Sequence, residues 1–112
     1  MAFLVCYSQG EVADWRKKAI YLDQRFYELF FEHCFGKTEF PVLRRIISLA
    51  YGDETKIDGD QLQELQAELR RASDKFQVDH EQIPALIEIA EHAYSTGVSL
   101  AIAGDMYPVL RR

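Results

Sequence analysis

A histidine and an aspartate near the end of the chain have the types and positions that catalysis could use. His92 follows Glu88 by four residues, so both side chains would lie on one face of a helix, where the carboxylate could orient the imidazole as a general base. Asp105 follows the apolar segment 98–103, and ligands of α/β enzymes bind near the carboxyl ends of such strands. Exposed helix pairs and polar strand ends are commoner than catalytic groups. We therefore keep a small enzyme of unknown reaction, using His92 or Asp105, as an alternative interpretation.

A run of acids around a glycine invites comparison with a calcium-binding loop. The acids are Asp53, Glu54, Asp58 and Asp60. If Gly59 takes the place of the invariant glycine of such a loop, the last ligand position falls on Leu65, where a bidentate glutamate is required. The spacing therefore predicts a solvated turn and no calcium site.

The histidines and cysteines lack the close pairs that a zinc site needs. His33 and Cys34 are adjacent, so on a helix their side chains diverge by about 100°. Cys6, His80 and His92 have no paired spacing. The sequence also contains neither a phosphate-binding glycine loop nor a G-x-S-x-G motif. We therefore predict no metal site and no cofactor.

The acidic residues are concentrated in the middle of the chain. The whole chain has a net charge of -5, whereas residues 52–91 contain 11 acids and 4 bases, a net charge of -7. This acidity argues against general nucleic-acid binding, which requires a basic surface. Ordinary solubility would explain the charge, but an acidic face would also steer a basic protein partner. The predicted partner-binding residues are Asp53, Glu54, Asp58, Asp60 and Glu64.

The apolar patterns predict an α+β fold. Residues 2–7 and 98–103 are short apolar runs typical of buried strands, and a weaker strand is predicted at residues 55–58. The predicted helices are 15–33 with a break near Asp23, 41–51, 60–72 and 84–96. We expect about four helices packed on a small two- to three-stranded sheet built from both chain ends, in a single domain of residues 1–112.

Several helix ends carry residues that favour them. Pro41 and Pro84 suit the first turn of a helix, where a missing N–H would be unpaired anyway. Asp60 with Gln63 three residues later resembles a capping box. Gly97 can adopt the left-handed conformation that ends helices.

Two segments of the chain share a residue pattern. Residues 41–60 and 84–105 both fit P-x-L-x-x-I-x-x-x-A-Y, then a glycine, four residues and I-x-G-D, with a single gap at residues 95–96. The apolar positions of the preceding helices also align. We hypothesise a duplicated helix–helix–strand unit with pseudo-twofold symmetry. The alternative is that helix starts, helix ends and strands draw on the same few residue types.

The segment 26–35 is apolar nearly all around a helix axis. Such a helix is either enclosed by neighbouring elements or covered by a partner. We predict self-association into a homodimer through Phe30, Phe31 and Phe35. The intramolecular alternative is that the other apolar helix stripes enclose the segment.

Composition narrows the function classes further. Two cysteines give no disulfide framework, which favours a reduced cytoplasmic protein, and no apolar run reaches the ~18 residues of a membrane span. We also expect no signal peptide, because no positive residues precede the first apolar run. The leading interpretation is a small acidic cytosolic protein-binding module, in its narrowest form an immunity-type inhibitor of a basic toxin. The alternatives are the small enzyme above and a structural homo-oligomer.

Overall fold

The computed structural model describes residues 2–9, 12–13, 20–34, 39–50, 52–77 and 80–105. Within these ranges the elements, in chain order, are β1 (Ala2–Gln9), β2 (Val12–Ala13), β3 (Ile20–Leu22), α1 (Gln24–Cys34), α2 (Pro41–Ile47), β4 (Glu54–Ile57), α3 (Asp60–Phe76), α4 (Gln82–Thr96) and β5 (Ser99–Asp105). The predicted α+β fold, with four helices on a small antiparallel sheet, is confirmed.

The sheet has the order β2-β1-β5-β4, and β3 also pairs with β1. The strands at the two chain ends pair along their length, from Ala2 opposite Asp105 to Ser8 opposite Ser99. Both the predicted pairing of the chain ends and the predicted strand near Ile57, which pairs with β5, are therefore confirmed. The short strands β2 and β3 extend the sheet beyond the three strands that were expected.

The hydrophobic core lies on one face of the sheet. Side chains alternate between the two faces of a strand, so residues two apart share a face. Val5 pairs with Ile102 and Tyr7 pairs with Leu100, which places these side chains on the same face. Val5, Ile102 and Leu100 are buried in one cluster with apolar residues of all four helices, so the helices pack on this face.

The predicted helix over residues 15–33 is wrong at residues 20–22. Ile20–Leu22 form β3 and pair with Phe3–Val5 of β1. An apolar stripe at helical spacing cannot exclude a strand when a neighbouring strand offers unpaired backbone groups. The predicted break near Asp23 is confirmed, because its Oδ1 accepts a hydrogen bond from Phe26 N at 2.9 Å as α1 begins. Residues 14–19 lie outside the described ranges.

Four other helix ends differ from the prediction. α3 ends at Phe76, four residues beyond the predicted range of 60–72. α3 begins at Asp60, but Gly59 is its N-cap residue and no side chain caps it, so the predicted capping box is wrong. α4 begins at Gln82, two residues before Pro84, which therefore lies in the first turn. α2 ends at Ile47, with Ser48 as its C-cap residue, rather than near Tyr51.

The order helix–helix–strand occurs twice, as α1–α2–β4 and as α3–α4–β5. β4 and β5 pair in antiparallel fashion, which a twofold axis between two such units requires. Gly52 and Gly97, matched by the shared pattern, both have positive φ, +88° and +73°. Gly59 has a positive φ whereas its match Gly104 does not. The duplication stays a hypothesis, with a shared element order in its favour.

Among the described helices, none combines the length and the apolar character needed to cross a lipid bilayer.

Candidate functional site

An open groove of about 600 Å³ lies between α4 and the β1–β3 side of the sheet. The described residues that line it are Tyr7, Ile20, Ala85, Glu88, Ile89, Glu91, His92 and Ser95. Six of them come from one helix because α4 presents residues three and four apart along one side. The groove therefore contains the Glu88–His92 pair that the sequence analysis singled out.

Together with Ile20, Tyr7 forms the sheet side of the groove. Its ring contacts the His92 ring edge-on, with centroids 5.4 Å apart. Tyr7 follows Phe3 and Val5 on the core face of β1, but it lies near the end of that face and is only half-buried. Burial raises the pKa of the Tyr7 phenol, and the negative charge of Glu88 raises it further. The phenol therefore keeps its proton and presents a neutral aromatic ring to the groove.

Ser95 is not positioned as a nucleophile activated by His92. The Ser95 hydroxyl donates a hydrogen bond to Glu91 O at 3.0 Å, so it is turned back onto its own helix. An activated nucleophile would instead donate its proton to a base such as His92. His92 is exposed, and its ring contact is with Tyr7.

The structure does not bring Asp105 to this groove. Tyr7 pairs with Leu100, whereas Asp105 pairs with Ala2 at the other end of β1. Five residues of extended strand separate the two positions by about 17 Å. His92 and Asp105 therefore do not form one catalytic site.

The predicted partner-binding acids follow the β4 edge of the sheet and the start of α3. Glu54 lies in β4, Asp58 and Asp60 lie at the β4–α3 junction, and all three are exposed. We call Glu54, Asp58 and Asp60 the acidic strip. Asp53 is exposed but stabilises the turn in which it lies, because its Oδ2 accepts a hydrogen bond from Ala50 N at 3.2 Å. Glu64 is half-buried and lies 3.7 Å from Arg71.

Arg45 of α2 contacts the edge strand beside the acidic strip. Its Nε donates to Thr55 Oγ1 at 3.1 Å and its Nη2 donates to Lys56 O at 2.6 Å. A charged side chain bonded to the backbone of an edge strand discourages pairing with another strand. Contact at this edge would therefore use side-chain charge rather than an added strand.

His80 and Asp23 form a contact that sequence reasoning missed. The buried His80 accepts a hydrogen bond from Gln82 N on Nδ1 at 3.0 Å, so Nε2 carries the proton and lies 3.2 Å from Asp23 Oδ1. Asp23 N in turn donates to Gln82 Oε1 at 3.0 Å. Because both ring nitrogens are occupied, His80 joins the starts of α1 and α4 and is not a free base. Asp23 and His80 are 57 residues apart, and no local pattern links them.

Glu68 is a second feature without a signal in the sequence. It is fully buried, and its two oxygens accept hydrogen bonds from Val42 N at 3.1 Å and Leu43 N at 2.9 Å. These N–H groups belong to the first turn of α2, which has no side-chain cap of its own. The carboxylate is thus a structural cap supplied by α3.

The phenylalanines predicted to mediate self-association occupy different environments. Phe30 is fully buried and packs against Phe26, with ring centroids 4.5 Å apart. Phe31 is 40% exposed, and its ring lies 5.4 Å from that of Tyr27. Phe35 lies outside the described residues. In this conformation the exposed Phe31 side chain could contact a second copy of the chain, whereas the buried Phe30 side chain could not.

In the described part of the chain, no group of three or more histidines, cysteines, aspartates or glutamates is placed to hold a metal ion. The chain matches no protein-family model, no curated protein and no solved structure.

Proposed function

We propose that this protein is a binding module that receives a basic protein partner on the acidic strip. The observation that carries the proposal is the exposure of all three strip carboxylates at one edge of the sheet. Their sequence neighbourhood, residues 52–91, carries a net charge of -7 from 11 acids and 4 bases. Clustered exposed charge of one sign raises the rate at which an oppositely charged protein docks in register.

The basic side chains near the acidic strip do not reverse the negative sign of its net charge. Lys56 is exposed between Glu54 and Asp58, and Arg45 is bonded to the strand backbone. Positively charged groups on the partner would meet three carboxylates and two cations, the Lys56 ammonium and the Arg45 guanidinium, so the local charge stays negative. In its narrowest form the proposal is an inhibitor that covers the cationic surface of a toxin in the cytoplasm, with a homodimer as one arrangement in which it acts.

Charge reversal of the strip tests this function. The triple variant Glu54→Lys, Asp58→Lys and Asp60→Lys is compared with a control triple on exposed acids of the helices, Glu28→Lys, Glu32→Lys and Asp74→Lys. Both variants change the net charge equally. The ligands are the product of an adjacent gene, where that product is basic, and an oligolysine peptide as a charge-only probe.

We expect the strip variant to slow association with the basic protein by roughly tenfold at low salt, and the control to slow it much less. The free energy of unfolding should change by less than about 1 kcal/mol, since exposed charges and first-turn acids contribute little. Equal slowing by both triples would mean that only net charge matters, and the strip would then not be a docking surface.

A further inference from the structure

The groove between α4 and β1–β3 combines an apolar lining with acidic groups. Ile20, Ala85 and Ile89 are half-buried, and together with the Tyr7 ring they present an apolar surface. The polar groups include the exposed carboxylates of Glu88 and Glu91. The described lining contains no lysine or arginine to neutralise them. Glu88 and Glu91 would attract a cationic ligand, which would find both charge and apolar contact.

Tyr7 and Glu88 act on the same region of the groove. Both residues line the groove, and the negative charge of Glu88 adds to the rise in the Tyr7 pKa that burial causes. The face of an aromatic ring is itself electronegative and attracts ammonium and guanidinium groups. A cation held between the Tyr7 ring and the Glu88 carboxylate would thus be stabilised by both groups.

We propose that this groove binds a small organic amine with an apolar body. Its ammonium group would lie between Glu88 and the Tyr7 ring, and its apolar part would contact Ile20 and Ile89. The volume of about 600 Å³ is within the range of small-molecule sites. The site is independent of the acidic strip, because β1 and β4 are separated by β5 and therefore by about 10 Å.

Titration of the isotopically labelled protein with 2-phenylethylamine, followed by amide chemical shifts, tests the proposal. The matched probes are 2-phenylethanol, which lacks the charge, and 3-phenylpropionate, which reverses it. We expect the amine to shift Tyr7 and residues 85–92 of α4 with a dissociation constant on the order of 1 mM. The alcohol should bind more weakly, and the acid should not bind.

Variants assign the contacts. Glu88→Gln should weaken amine binding by about fivefold, as expected for a partly exposed ion pair, and leave 2-phenylethanol binding unchanged. Glu28→Gln on α1 removes the same charge away from the groove and should have no effect. Tyr7→Phe should retain binding because it keeps the ring, and Tyr7→Leu should weaken it.

Three outcomes would overturn the proposal. They are binding of the alcohol or the acid as tightly as the amine, equal weakening by Glu88→Gln and Glu28→Gln, and the absence of localised shifts at about 10 mM amine. The spectrum of each free variant shows whether it is folded, so that a loss of binding is not mistaken for a loss of structure. A failure here leaves the acidic-strip function standing, because that test uses different residues and ligands.

Discussion

At the scale of single residues, Glu68 is a buried acid whose charge state matters for folding. Burial raises the pKa of its carboxyl to about 7, and the hydrogen bond and negative charge of Glu64 add to this effect. The N–H groups of Leu43 and Val42 act in the opposite direction by bonding to the carboxylate. The same group is thus a good acceptor for the start of α2 and a costly charge to bury.

The pH dependence of stability follows from this raised pKa. Between the ordinary value of 4.5 and about 7, the folded state holds a proton that the unfolded state has lost, so the free energy of unfolding falls as pH rises. We expect a loss of up to about 3 kcal/mol between pH 5 and 8 from this group. Glu68→Gln should abolish that slope in chemical denaturation measured across the pH range, whatever its effect on absolute stability. Glu28→Gln, on the surface of α1, should retain it, and a slope that survives in Glu68→Gln would refute the assignment.

At the scale of elements, the connection between α2 and β4 lies directly on β5. Gly104 N donates to Asp53 O at 2.9 Å, and Gly52 N donates to Gly104 O at 3.1 Å. A Cβ atom at position 104 would overlap the carbonyl oxygen of Ala50. The apolar run 98–103 predicted a strand that ends before Gly104, whereas β5 continues through Gly104 and Asp105. Glycine is required there because another backbone comes close.

Gly104→Ala should therefore force the loop away from β5. We expect the free energy of unfolding to fall by about 1–3 kcal/mol, the usual cost of overpacking a tight site. Thermal or urea denaturation measures the loss. Hydrogen exchange of the Gly52 and position 104 amides should increase in the variant, since both donate across this contact. A variant as stable as the parent, with unchanged exchange, would show that the loop does not pack on the strand.

At the scale of the whole molecule, the helices enclose most of the aromatic segment of α1. Phe26 and Phe30 are fully buried in the core that lies on the helix-bearing face of the sheet. Phe31 is left 40% exposed beside Tyr27. The intramolecular alternative thus accounts for the first two side chains, and self-association through α1 stays a prediction that depends on Phe31.

Phe30→Glu and Phe31→Glu are a matched pair for this question. Phe30→Glu should unfold the protein, because it places a charge in the core. Phe31→Glu should fold, and we expect it to reduce self-association of the parent chain in sedimentation equilibrium at micromolar concentration. A parent that sediments as a 13.0 kDa monomer, with Phe31→Glu behaving identically, would rule out the dimer.

The candidate groove shows which part of a site local patterns can predict. The Glu88–His92 pair was visible because four-residue spacing alone places two side chains together on a helix. The contribution of Tyr7 could not be predicted, because Tyr7 lies on the first strand and contacts α4 only in the folded structure. The same holds for Glu68, a polar residue whose burial depends on the position of α2.

The sequence by itself determined the last two elements of the chain, α4 and β5. Apolar periodicity and Gly97 define α4 and its end, and the short apolar run that follows is β5, within one or two residues. The tertiary structure alone decided that Ile20–Leu22 form a strand and that His80 bonds to Asp23. The physical reason is range: helix stripes and caps act over a few residues, whereas strand pairing and buried hydrogen bonds depend on which distant segments pack together.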